Sequence, residues 1–268
     1  MAIVPRPVEG RFDDVLFDFI AASEGFVPRI YCDHRGIPTL GLGYALLVNT
    51  PGWPPRDSLE SDLAAIGVAL TAADRQRLTA VGRALSGNDS DQAKTLVAAW
   101  LPGEDSAASN SFSFLITRAQ ARSLFAMVRP DYEAVIRQKL GDRLTDDLAN
   151  SKEMVALFSL AYNSPALIGP GLSTALRNGE REKAWYEICF GSNRRRHHGI
   201  QNRRDHEARM FSLTNADPSP SERAAVANLL QDKRAFMERY LADAGRERSD
   251  IDVALAAISE SAASTRFA

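Results

Sequence analysis

The chain has 268 residues, 45% of them hydrophobic and 25% charged, which is the balance of a globular protein large enough for a core and a second subdomain. A formal net charge of -2 argues against a general nucleic-acid binder and predicts weak long-range capture of an anionic polymer. No apolar run is long enough to span a bilayer, and the amino terminus, MAIVPRPVEGRFDD, lacks the basic segment and continuous apolar core of a secretory signal.

Phe12, Val15, Leu16, Phe19 and Ile20 recur at three- and four-residue intervals, which predicts a helix with Asp13 and Asp14 in its first turn. Gly25 ends it and leaves Glu24 at its C-terminal end. Ile30 and Tyr31 then read as a short strand, Asp33-His34-Arg35-Gly36 as a tight turn, and Pro38 to Leu42 as the returning strand. Eight residues separate Glu24 from Asp33 and five separate Asp33 from Thr39. A carboxylic acid at a helix end and a carboxylate on a facing hairpin suit glycosidic bond hydrolysis, where one group protonates the leaving oxygen and the other handles water. The Thr39 hydroxyl donates and accepts hydrogen bonds, so it suits a residue that holds that water. By themselves the two acids read first as an exposed helix end and an ordinary turn aspartate, since both residue types are mostly exposed and Asp is a preferred turn former.

From Ala45 to about Leu115, helices are expected near 57–70, 72–85 and 89–100, with Thr71 as an N-cap. Pro51-Gly52-Trp53-Pro54-Pro55 and the Gly-, Ser- and Asn-rich stretch from Leu101 to Ser113 interrupt them. After Asp217-Pro218, helical spacing returns near 219–242 and 248–260. Amphipathic patterning there suits packing on the main body or on a partner.

The triplet Glu24, Asp33 and Thr39, followed by the glycine-rich Leu40-Gly41-Leu42-Gly43-Tyr44, resembles the signature of phage-type lysozymes, the muramidase endolysins of glycoside hydrolase family 24. ITRAQARSLF from Ile116 looks like that family's lobe-connecting helix, and MVALFSLAYNSP from Met154 looks like its central buried helix. GLSTALRNGEREKAW from Gly171 and GIQNRRDHEARMF from Gly199 look like its last helices, so matches run in order from about Phe12 to Phe211. The resemblance implies an α+β, mainly α-helical, two-lobed fold with a small β-hairpin lobe and a helical large lobe. It divides the chain into an N-terminal extension, 1–11, and a catalytic domain, 12–212. The small lobe is then about 25–116 with a helical insertion, the large lobe is 12–24 plus 117–212, and a helical extension covers 213–268.

The implied activity is hydrolysis of the β-1,4 bond between N-acetylmuramic acid and N-acetylglucosamine in peptidoglycan. Glu24 is the acid, and Asp33 and Thr39 direct the attacking water. Inversion is the expected outcome, with carboxyl groups about 6.5–9.5 Å apart, whereas about 5–5.5 Å goes with retention. Tyr44, Tyr162 and Asn163 match supporting or cleft-lining positions, and Arg203 matches the arginine that reaches the acid, with Arg204 as the fallback. Tyr162 and Asn163 also read as satisfied core residues, and both arginines as exposed helix surface paired with Glu207. The family's Asn, one residue, Gly is here Asn163-Ser164-Pro165, a departure at the cleft edge. An arginine beside a general acid favours the ionised form, so burial or bound sugar has to compensate.

No cofactor and no metal are expected: His34, His197, His198 and His206 lack ligand spacing. Cys32 and Cys189 read as free thiols, with Cys32 facing away from Asp33 by strand alternation. The basic run from Asn193 to His198 reads as a solvated loop or as an attraction for anionic wall polymers. The partner set is therefore peptidoglycan, with an inhibitor or immunity protein compatible, no nucleic acid, no membrane insertion, and a monomeric state. Synthesis in the cytoplasm without a signal peptide, and action on the cell wall after holin release or injection, complete the expectation. A lytic transglycosylase and a non-catalytic glycan-binding module remain open.

Overall fold

The computed structural model describes residues 3–100, 115–193 and 198–243. Among the described residues the fold is mainly helical with one antiparallel sheet of three strands in the order β1-β2-β3. The chain forms two compact units, a hairpin unit, Phe17–Asp131, and a helical unit, Met1–Leu16 with Tyr132–Ala268. Their boundaries fall inside two helices, α1 (Phe12–Glu24) and α5 (Arg118–Leu140). Arg194 to His197 of the basic run and the helix expected near 248–260 lie outside the described residues.

In the hairpin unit, α1 ends as its sequence demands: Gly25 takes a positive φ of 76° and its amide caps the Ala21 carbonyl at 3.0 Å. β1 (Val27–Cys32) and β2 (Pro38–Gly41) pair with Tyr31 opposite Thr39 and Cys32 opposite Pro38, and β3 (Tyr44–Ala45) sets Ala45 opposite Thr39 and Tyr44 opposite Leu40. Alternation then gives the sheet two distinct faces, one with Tyr31, Thr39 and Ala45, the other with Cys32, Leu40 and Tyr44.

The insertion forms α2 (Leu59–Ala65), α3 (Ala72–Ser86) and α4 (Ser90–Ala98). Thr71 is the N-cap of α3 in a reciprocal capping box with Asp74. α4 packs against β1, and the hairpin turn seats so closely on it that a Cβ at Gly36 would lie 2.9 Å from the Ser90 carbonyl. The Pro51–Pro55 interruption folds into a tight excursion closed by Val48 N–H donating to the Pro54 carbonyl at 3.0 Å. At the other end, Phe17 is fully buried, packs edge-on to Phe125 at 5.8 Å, and lies under the guanidinium of Arg122 at 4.5 Å.

In the helical unit, every residue of α7 (Lys152–Asn163) from Glu153 to Ala161 is buried, the all-round burial expected of a central helix. α10 (His198–Phe211) packs along α7, and α8 (Pro170–Asn178) and α9 (Arg181–Cys189) form an adjoining pair, with the short α6 (Asp142–Asp147) following α5. α11 (Pro220–Asp243), from the expected C-terminal extension, packs on α9 through Tyr186, Phe190, Phe236 and Tyr240, whose ring centroids lie 5.0–6.3 Å apart. The segment before α1 is likewise integral: Pro7 bridges Ser151, and the Lys152 amide donates to the Arg6 carbonyl at 2.8 Å. Among the described residues, no helix is long and apolar enough to cross a membrane.

Candidate functional site

The helix end and the hairpin bring Glu24, Asp33 and Thr39 around one side chain, Tyr31. Glu24 is exposed on the last turn of α1. Asp33 is half-buried at the hairpin turn, where one oxygen, Oδ1, accepts from the backbone amides of Arg35 and Ile37, each at 2.8 Å. The aspartate therefore shapes the turn with one oxygen and leaves Oδ2 without a hydrogen bond among the described residues. Thr39 is 5% exposed, and its hydroxyl donates to the Ile37 carbonyl at 3.0 Å. Because its single proton is committed, Thr39 meets any further group as an acceptor, which narrows the donor-or-acceptor role open to it from sequence.

Tyr31 stands opposite Thr39 in the ladder and two residues before Asp33. Its phenol is pushed above the ordinary tyrosine range, first by burial and then by the negative charges of Glu24 and Asp33. The hydroxyl is thus a retained proton donor within electrostatic reach of both carboxyl groups. From sequence Tyr31 reads only as a strand former, and its position two residues before Asp33 is the one local signal that links it to the site.

Cys32 lies on the other sheet face, as alternation required. Its thiol reaches the Gly36 carbonyl at 3.4 Å, and burial, with the charge of Asp33, pushes it up to about 11. At neutral pH it is a protonated thiol and a poor nucleophile. Tyr44 shares that face and is only 3% exposed. Its hydroxyl donates to Asp62 at 2.6 Å, Ser58 donates to the same oxygen at 2.7 Å, and Arg56 lies 5.2 Å over the ring. Burial, followed by the hydrogen bond to Asp62, raises its phenol as well. Tyr44 is thus separated from the Tyr31–Thr39 face by the sheet and supports the loop into α2.

The remaining expected residues belong to the helical unit. Tyr162 is half-buried on α7, 4.7 Å from Tyr132 and 6.0 Å from Phe158 between ring centroids. Asn163 accepts from Arg204 at 3.1 Å. Arg203 donates to the Ser159 carbonyl at 3.0 Å and to Glu207 at 3.2 Å, and Arg204 is fully buried and donates to the same Glu207 oxygen at 3.1 Å. Ser159 completes the cluster by donating to Glu207 at 2.6 Å. The pairing of both arginines with Glu207 follows from helical spacing of three and four residues, but Arg203 is half-buried and Arg204 fully buried, so neither is exposed helix surface. Burial raises the Glu207 carboxyl above the usual range against the opposing pull of Arg204, Ser159 and Arg203.

Chemically, the Tyr31 cluster offers two carboxyl groups, a phenolic donor and a hydroxyl acceptor on one sheet face and its adjoining helix end. These are the groups needed to donate a proton and to orient a water. No family model, curated protein or solved structure matches the chain.

Proposed function

We propose that the protein is a peptidoglycan hydrolase, an N-acetylmuramidase cleaving the β-1,4 bond between N-acetylmuramic acid and N-acetylglucosamine, on a two-lobed lysozyme fold. The observation that carries the reading is the convergence of Glu24 and Asp33 on Tyr31, directly across the ladder from Thr39. Glu24 protonates the leaving oxygen. The unbonded oxygen of Asp33 accepts a proton from the attacking water, and Thr39 accepts its second hydrogen bond. Tyr31 donates toward the carboxylates and keeps their orientation. Arg203 is the proposed cation for Glu24, and Tyr162 and Asn163 are proposed to contact the glycan. Delivery to the wall as an endolysin or as an injected effector fits the same chemistry.

A lytic transglycosylase is the second reading. It draws on Asp33 already spending one oxygen on the hairpin turn, since that reaction needs the acid and no water-directing carboxylate. Digestion of purified peptidoglycan with the wild type, Glu24→Gln, Asp33→Asn and Thr39→Ala, with products read by mass spectrometry, separates these. Reducing muramic ends, a loss of about a hundredfold or more in Glu24→Gln, and strong loss in Asp33→Asn are expected. Anhydro-muramic ends would establish the transglycosylase. Wall binding without any cleavage would leave a glycan-binding module, and undiminished cutting by Glu24→Gln would end the assignment of the acid.

A further inference from the structure

The hairpin turn that carries Asp33 also presents a cation without a counter-charge. Arg35 is exposed, and its backbone amide donates to the Asp33 carboxylate at 2.8 Å. Its guanidinium makes no hydrogen bond and no ion pair among the described residues. It lies instead over the Trp53 ring, 5.9 Å from the centroid. Trp53 comes from the Pro51–Pro55 excursion, so a segment eighteen residues further along the chain meets the turn at this one side chain.

The ring is held there by a costly piece of backbone. A residue before proline is ordinarily extended, yet Trp53, before Pro54, has a φ of 46°. Its amide donates to the Thr50 carbonyl at 2.9 Å, and Leu47 bridges Pro55 across the base of the excursion. From the other side α3 approaches so closely that a Cβ at Gly82 would lie 2.6 Å from the Trp53 carbonyl oxygen. Such a conformation persists only where its surroundings over-determine it, and these contacts fix where the half-buried indole sits. The turn itself is seated on α4 at Gly36. Two helices of the insertion thus fix the tryptophan and the arginine turn against each other, beside Asp33.

A guanidinium stacked on an aromatic plane is restrained in orientation and keeps its N–H edge for a planar anion such as a carboxylate. Peptidoglycan supplies that group, because the amino-acid stem on the muramic lactyl group carries free carboxylates that a plain amino-sugar polymer lacks. We propose that Arg35, held on Trp53, is a specificity-determining residue that binds a stem-peptide carboxylate of the sugar chain at Asp33. The proposal rests on the peptidoglycan reading and gives the insertion a part in it: α3 and α4 position a peptide subsite next to the hairpin turn.

Isothermal titration of the full chain in low salt tests this with N-acetylglucosaminyl-N-acetylmuramyl tetrapeptide and with the same compound after its carboxylates are converted to amides. This disaccharide lacks the bond to be cut, so binding is read without cleavage. The wild type should bind the acid form about fivefold or more tightly than the amide form. Arg35→Gln should abolish that preference, and it leaves the backbone bond to Asp33 in place. Trp53→Leu should reduce the preference by freeing the guanidinium, with circular dichroism reporting the folding of both variants. On intact peptidoglycan, Arg35→Gln should raise KM with kcat changed by less than about twofold. Equal binding of the two forms by the wild type, no binding of either, or an undiminished preference in folded Arg35→Gln would overturn the proposal. An Arg35-dependent preference in a protein that releases no reducing ends would instead end the hydrolase reading and leave the carboxylate subsite standing.

Discussion

Tyr31 gives the candidate site its coherence at the scale of single residues. Both carboxylates raise its phenol, so removing either charge should lower it. Ultraviolet titration of the tyrosinate should show one transition moving down in Glu24→Gln and again in Asp33→Asn, while Tyr31→Phe deletes it. A raised tyrosine favours the folded state below the ordinary value of 10.0 and gives up that contribution as pH climbs through its own higher value. Alkaline stability should therefore fall less steeply in Tyr31→Phe. Cys32 supplies a second check: with its thiol pushed up to about 11, alkylation by iodoacetamide should be slow at pH 8 and accelerate as pH approaches that value. Fast reaction near neutrality would revive Cys32 as a nucleophile.

At the scale of elements, local chemistry was readable where it is self-contained. Gly25 ends α1, and Thr71 caps α3, because the cap and its partners lie within a few residues of one another. The hairpin was readable for the same reason, since Asp33 closes its turn onto Arg35 and Ile37. β3 was not, because two residues carry no periodicity and pair only once β2 is in place. Nor was the service that the insertion performs for the hairpin, in which α4 covers the sheet face bearing Cys32 and accommodates Gly36. Gly36 has a φ of 86° as well as that close approach, so Gly36→Ala should destabilise the hairpin unit by about 1–3 kcal/mol, measured by denaturant unfolding. A change within about half a kcal/mol would mean that the turn yields freely.

At the scale of the whole chain, distant segments are held by a buried ion pair that sequence spacing does not announce. Arg181, at 2% exposure, binds Glu153 on α7, the Phe211 carbonyl at the end of α10 at 2.7 Å and the Val4 carbonyl at 2.7 Å. Arg181→Met strands the Glu153 charge in the interior and should cost about 3–5 kcal/mol, lowering the thermal midpoint of the helical unit. Adding Glu153→Leu should return part of that loss, because the uncompensated charge is then gone. If the single and double variants were equally destabilised, the ion pair would not be the source of the effect. The same long reach explains why residues 3–11 and the helix after 219 read as extensions: their docking partners lie far away in the chain.

The sequence alone determined the helical periods, the caps, the hairpin and the spacing that puts Glu24 at a helix end, Asp33 at a turn and Thr39 on the returning strand, since each depends on contacts within about ten residues. Tertiary structure decided the rest. It put Tyr31 across the ladder from Thr39, turned Tyr44 to the opposite face, and gathered the half-buried Arg203 and the buried Arg204 around Glu207. Those outcomes depend on which faces are covered and which charges meet, and these are set only when segments far apart in the chain pack together.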